Sequence, residues 1–371
     1  MTVCADRRSV KQALSVLRES PHLFVDCEGR DLGCAGGQLS VISVGTAFAE
    51  HVFLFDVLRL KRSALRPVVD LLRDDKQIKY VWDGRMDNIE LQRAFGVPFG
   101  RTIDLQIADV LSRKIRAQEA KKHFDPWGVH SLVGLKNALE QHRILQDPDG
   151  EDDTIQVNHT EWMLRPLPPT YLQYAERDIL LLAYIYTVFN SRSYISHRTD
   201  ASRFATLLEC SDRYINMHAG PLPKGNVYLS SNLLPLGILE DTAGVKQPCD
   251  CCDRWLLVRR AFKIGPVRHT SCKVCRILTE RAAARQKRTS GSHAQSPVYT
   301  VSLPYHGGSP TALALDMDDE PVSPATTLAG LDDDDGFVKS VTTIAALDMD
   351  DKLPRVHHLD LWPPRPASAL C

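Results

Sequence analysis

No stretch of this 371-residue chain is long and apolar enough to read as a membrane span. The opening MTVCADRRSVKQALSV also lacks the apolar core that directs secretion, so an intracellular protein, in nucleus or cytoplasm, is expected. Cys371 is the last residue, not the fourth from the end, which excludes a prenylation box. There is no surplus of positive charge: 45 Lys and Arg face 46 Asp and Glu. A nucleic-acid partner would therefore have to be met by a localised basic patch. An intracellular setting disfavours disulfides for the ten cysteines. Five of them crowd between Cys249 and Cys275, which calls for a metal.

Hydrophobic periodicity divides the chain. Residues 8–20 place Val10, Ala13, Leu14 and Leu17 at helical spacing. Three strand-like runs follow, HLFVDCEG (22–29), QLSVISVGTA (38–47) and HVFLFDVL (51–58), and their short breaks predict an antiparallel meander. Helical and strand patterns then alternate. SALRPVVDLLRD is helical, IKYVWDG a strand, DNIELQRAFG a helix stopped by Gly96, and TIDLQIADVLSRK a strand end running into a helix. PPTYLQYAERDILLLAYIYTVF (168–189) is a long helix whose prolines suit its first turn. The order predicts a mixed α/β sheet with helices on its faces. Residues 216–247 turn Pro-, Gly- and Asn-rich, a linker whose LLPLGIL run should pack back on the domain.

Three places carry chemistry. Asp26 and Glu28 end an apolar strand and, two apart, leave the same face of the sheet; the alternative is a solvated strand end. In VWDGRMDNIEL (81–91) a second strand ends in Asp83 and Asp87, where Asp87 might equally cap the following helix and Asp83 fix the turn. In YAERD, Tyr174 and Asp178 stand at i and i+4 on one helix; a buried tyrosine beside an exposed aspartate is the plainer reading. Several carboxylates converging on one point would suit hard cations such as Mg²⁺ or Mn²⁺.

Taken in order, D-x-E, then D, then Y-x-x-x-D resembles the DEDD exonuclease superfamily in its tyrosine-bearing branch. The run EWMLRPLPPTYLQYAERDILLL is similar to ribonuclease D nearly residue by residue. DCEG after FV and the following GGQLSVISVGT resemble the first hairpin of that domain, and TIDLQIADVL its D-x-Q-x-A helix, which makes Asp104 structural. The D-x-E-G and DGRMD forms stand closer to the exonuclease-domain-containing group that includes Egalitarian. Trp82 stands where ribonuclease D usually has His, and Asp83 where proofreading relatives have Asn. Over residues 8–195 the resemblance implies a ribonuclease H-like sheet flanked by helices and a two-cation 3′→5′ exonuclease releasing 5′-mononucleotides from RNA or single-stranded DNA. It implies that Asp26, Glu28 and Asp178 hold one cation, that Asp26 bridges to a second reached by Asp87, and that Tyr174 orients the attacking water. Some members of the group have lost carboxylates and only bind RNA. A catalytically inactive RNA-binding scaffold is therefore the alternative, disfavoured because all four carboxylates and the tyrosine are kept.

Cys249-x-x-Cys252 and Cys272-x-x-Cys275, 19 residues apart, have zinc-ribbon or treble-clef spacing and predict one Zn²⁺ in a tetrahedral thiolate site. Cys251 and His269 are spare candidate ligands. From 254 to 288 there are eleven Lys and Arg against Glu280 alone, with Trp255 and Phe262 interleaved. Arg259, Arg260, Lys263, Arg268 and Lys273 are the candidate nucleic-acid contacts there, a solvated charge face being the bland reading. A second basic run, Arg113, Lys114, Arg116, Lys121 and Lys122, reads as a phosphate track or an exposed helix. The expected organisation is an exonuclease domain at 1–195, a packed linker at 196–247, a basic zinc module at 248–290 and a disordered acidic tail at 291–371. In the tail ALDMDD occurs at 314–319 and 346–351, and either the zinc module or this acidic tail is the expected surface for a protein partner.

Overall fold

A computed structural model describes residues 1–116, 128–144, 157–195, 200–218, 231–240, 243–264 and 267–291. The acidic tail beyond 291, and Lys121 and Lys122, lie outside the described residues.

The meander forms as the pattern requires. Strands β1 (Thr2–Cys4), β2 (His22–Arg30), β3 (Gln38–Gly45), β4 (Val52–Asp56), β5 (Ile78–Val81) and β6 (Thr102–Asp104) make one sheet in the order β1-β4-β3-β2-β5-β6. The β2–β3 and β3–β4 pairs are antiparallel, while β1–β4, β2–β5 and β5–β6 are parallel. Strand β1, three residues long, is too short to leave a periodic signal.

Alternation along β2 divides the core into two layers. Leu23, Val25 and Cys27 face α1 (Arg7–Leu17) and α2 (Arg62–Arg73), joining Val10, Leu14, Leu65 and Val68. Phe24 faces the other way, into a core with Tyr80, Ile103 and Ile179. Asp6 caps α1: its side chain accepts the Ser9 N–H at 2.8 Å, which satisfies one of the open N–H groups of the first turn. The remaining nuclease-domain helices are α3 (Arg85–Phe95), α4 (Leu105–Ser112), α5 (Leu135–Gln141) and α6 (Pro169–Ser191).

Two features fix α6 on the sheet. Arg165, just before it, donates Nε to Asp56 on β4 at 2.8 Å and Nη2 to the Ser40 hydroxyl at 2.9 Å. At Gly45 of β3 any Cβ would collide with Ile179, so glycine lets the helix lie close beside Asp178. Part of the stretch read as linker is a helix, α7 (Ala201–Ile215), which buries Phe204, Leu207, Cys210 and Tyr214 in the same core.

The cysteine region is a hairpin of β7 (Lys246–Pro248) and β8 (Trp255–Leu257), a second of β9 (Lys263–Ile264) and β10 (Val267–Arg268), and the helix α8 (Lys273–Gly291). No helix of the described residues is long and apolar enough to cross a membrane.

Candidate active site

The site grows out of a mismatch in strand length. Strand β2 pairs with β5 only from His22 to Phe24, because β5 ends at Val81 while β2 runs on along β3. Asp26 and Glu28 therefore lie where the β5 side of the strand is no longer laddered. Strand β2 continues through Gly29. This glycine sits at a register shift where a Cβ would fall on the Gln38 carbonyl oxygen.

Across this edge α6 brings its i, i+4 pair. Carboxylate oxygens of Asp26, Glu28 and Asp178 all lie within 4.8 Å of one another. Burial, and then Asp178, pushes the Asp26 carboxyl up to about 7; burial raises Asp178 to about 6. Glu28 is driven well above the carboxylate range by burial and by its two neighbours. Three such groups crowded together repel one another when ionised, and a cation would relieve that repulsion and release their protons. Their hard oxygens fit Mg²⁺ or Mn²⁺.

Asp87 stands in the first turn of α3, buried, and is not part of the three-carboxylate group. Its carboxyl is raised by burial first and by Asp26 second, which places it in the field of the cluster. The helix opens on Gly84 as its N-cap residue, so the capping alternative for Asp87 does not apply. Tyr174 is hydrogen-bonded to Asp178, and burial with the Asp178, Glu28 and Asp26 charges raises its phenol far above the ordinary value. It stays a phenol at any physiological pH.

Asp26, Tyr174 and Asp178 open into a cleft of about 400 Å³ that Trp82, Arg177 and residues 134–137 also line. Lys136 and Asn137 of that lining carry no recognisable motif, and sequence reasoning passed over them.

Asp83 and Asp104 serve the turn. Asp104 accepts the N–H groups of Asp83, Gly84 and Gln106 at 3.2, 3.0 and 2.9 Å. Asp83, at φ 54°, takes buried Arg85 at 2.6 Å. In the second basic run Lys114 is exposed, while the two arginines are engaged inside the fold. Arg113 is buried, and both it and Arg116 reach Asp109 at 2.7 Å, joined by His142 at 2.8 Å.

In the second cluster the sulfurs of Cys249, Cys252, Cys272 and Cys275 lie within 4.8 Å of one another. The Cys272 N–H points at the Cys249 sulfur at 3.2 Å, the kind of contact that favours a thiolate. Four soft donors so placed fit Zn²⁺. Neither spare candidate joins them: Cys251 is exposed with its sulfur 3.2 Å from the Ser271 hydroxyl, and His269 Nδ1 lies 2.7 Å from Arg276. Arg259, Arg260 and Lys263 are exposed, Lys273 half-buried, and Trp255 is 68% exposed. The side chain of Arg268 lies outside the described residues.

The carboxylate cluster is of a kind that suits divalent cations, and the comparisons with known proteins give the family. Residues 1–192, just over half of the chain, match the 3′-5′ exonuclease family, to which the chain belongs. It is 28% identical over 167 residues to the piRNA biogenesis protein EXD1 of Mus musculus, covering 43% of this chain and 28% of that protein. To the exosome complex component 10 homolog of Drosophila melanogaster it is 24% identical over 216 residues, covering 57% and 21%. The chain thus spans less than a third of the length of these curated relatives. Among solved structures it is similar to Trypanosoma brucei RNase D in complex with RNA U12, at a TM-score of 0.51 and 18% identity, over 81% of this chain and 90% of that one. Identity so low speaks for the fold alone.

Proposed function

We propose that this protein hydrolyses nucleotides one at a time from the 3′ end of single-stranded RNA, with single-stranded DNA as the second substrate, in a reaction that requires two Mg²⁺ or Mn²⁺ ions. The observation that carries the proposal is the convergence of Asp26, Glu28 and Asp178 within 4.8 Å, beside Tyr174, in an open cleft. RNA is placed first because of the ribonuclease D-like third motif, and because relatives are named for piRNA biogenesis and the exosome.

Divalent cations, when bound, would polarise the scissile phosphate and make water a better nucleophile. Asp26, Glu28 and Asp178 would hold one of them, with Asp26 shared toward a second on the side of Asp87. Tyr174, kept a phenol by burial and by the neighbouring carboxylates and hydrogen-bonded to Asp178, would orient the attacking water. Trp82, Lys136 and Arg177 line the cleft where the terminal nucleotide and its phosphate would lie. We read the four-cysteine site as holding one Zn²⁺, and Trp255 with Arg259, Arg260 and Lys263 as a contact for the strand beyond the cleft. The organisation into nuclease domain, packed linker, basic module and acidic tail, and a nuclear or cytoplasmic location, belong to the same reading.

The test is purified protein with RNA and DNA oligomers labelled at the 3′ or the 5′ end, with Mg²⁺, Mn²⁺ or chelator. A ladder shortening from the 3′ end, absent with chelator and in Asp26→Ala, is expected. Wild type and Asp26→Ala equally inert on every substrate, while both bind RNA, would establish the scaffold reading instead.

A further inference from the structure

The cysteine cluster and the carboxylate cleft are joined by a short piece of backbone. Residues 130–132 and 232–234 form an antiparallel ribbon. Leu132 N–H donates to the Asn232 carbonyl and Leu234 N–H to the His130 carbonyl, both at 2.8 Å, around a bridge between Ser131 and Leu233. Side chains leave this ribbon for two different cores. Val129 and Leu233, 2% and 1% exposed, are buried with Cys249, Cys272, Cys275 and Phe262. Leu132 and Leu234 are buried in the nuclease core with Leu139 and Ile179. Arg254, two residues after Cys252, adds a tie by donating Nη2 to the Leu236 carbonyl at 2.8 Å.

The ribbon leads directly to the cleft. The Val133 carbonyl accepts Gln106 Nε2 at 2.8 Å and Trp82 Nε1 at 3.3 Å, and the next residues, 134–137, line the same cleft as Asp26 and Asp178. One face of the segment is therefore seated on the nuclease body and the other on the cysteine core. That second core is small, and four of its members are the clustered cysteines or their immediate partners. Its two cysteine pairs belong to different segments, the turn between β7 and β8 and the start of α8, so the packing of one segment on the other depends on the link through the sulfurs. Release of that link removes the partners of Val129 and Leu233, and a segment that has lost one of its two supports opens locally.

We propose that the four-cysteine module is a positioning element for the nuclease reaction: through Val129 and Leu233 it holds residues 134–137 at the distance from Asp26 and Asp178 that a bound 3′ terminus requires. The proposal rests on the cleft being the site of hydrolysis, as argued above. It differs from a role in gripping distant RNA, and substrate length separates the two. A dinucleotide offers one phosphodiester and nothing further for a basic surface to hold.

The experiment uses the full chain and two variants, Cys272→Ser/Cys275→Ser and Leu233→Ala, the latter leaving every cysteine in place. Amide hydrogen exchange is followed across residues 129–137, and kcat and KM are measured on a dinucleotide and on a long single-stranded RNA with Mn²⁺. Both variants are expected to exchange roughly tenfold faster at 129–137 with β2 and α6 unchanged, since opening of one support is local. Both should lose roughly 10- to 100-fold in kcat on the dinucleotide as well as on the long RNA, the scale of a small misplacement at a reacting centre. Unaltered exchange overturns the proposal. So does an unaltered dinucleotide kcat with weaker binding of long RNA only, which would make the module a clamp. An inactive wild type would overturn the function proposed above, whereas unaltered exchange overturns this inference by itself.

Discussion

The two ligand clusters solve opposite problems. The cysteine site takes its donors from two local pairs, one on the turn between β7 and β8 and one at the start of α8, and buries three of its four sulfur-bearing residues. The carboxylate site takes its donors from positions as far apart as Asp26 and Asp178, on a strand and a helix that the sheet must first bring together, and it faces a cleft. Its carboxyls are forced upward by burial and mutual repulsion. A closed thiolate site stabilises the fold that surrounds it, whereas the open carboxylate site is held in place by a fold that would be more stable without it.

Four measurements break or sharpen that contrast. The largest effect belongs to Asp26→Ala, which should take cleavage to background while the circular dichroism spectrum stays that of wild type; a loss of fold would mean that Asp26 is core. Cys272→Ser/Cys275→Ser should cost local structure as well: residues 248–280 become protease-sensitive as one zinc per chain disappears from metal analysis. An unchanged digestion pattern would remove the structural half of the comparison. Tyr174→Phe keeps the ring and its packing and loses the hydroxyl, so a fall of roughly 10²–10⁴-fold in rate is expected with melting temperature unaltered.

The smallest effect is on stability against pH. A folded-state pKa near 7 for Asp26, against about 4 when unfolded, means that the folded protein binds the extra proton, and stability present at low pH is lost as pH rises through 7. Without divalent cations, Asp26→Asn should therefore melt like wild type at pH 5 and above it at pH 8. His22 and His218, lowered to about 4 by burial, act with the opposite sign but cancel in that difference. A gap that does not widen with pH would show that Asp26 is not the strained group.

Much of this arrangement was legible in the sequence, because its signals are local. The meander follows from alternation, the long helix from periodicity and Pro169, and the cysteine pairs from spacing. The burial of Tyr174 and Asp178 against Asp26 and Glu28 agrees with the i, i+4 and i, i+2 geometry read from the motifs. What escaped was decided by partners far away in the chain. Arg113 and Arg116 look like an exposed basic face until His142 closes over Asp109. Helix α7 is apolar on one side, yet it lies in a stretch where Pro and Gly follow soon after and mask the pattern. Lys136 lines the cleft only because its segment is pinned by Trp82 and Gln106. Position 87 was the most ambiguous, and its place beside rather than within the three-carboxylate group reflects its origin on a separate helix.

The Asp109 hub has a consequence for measurement. Burial alone would raise this carboxyl, but the His142 bond and the two arginines hold it down at about 2, and with Asp109 and Arg113 shielded from solvent, dissolved ions do not reach them. Arg259, Arg260 and Lys263 stand in water, where 0.15 M salt screens beyond about 8 Å. Ionic strength is thus a dial that turns only the outside of this molecule. Raising it should weaken long-RNA affinity with a slope of about 0.7 for each phosphate neutralised, while the architecture behind the cleft does not register the change.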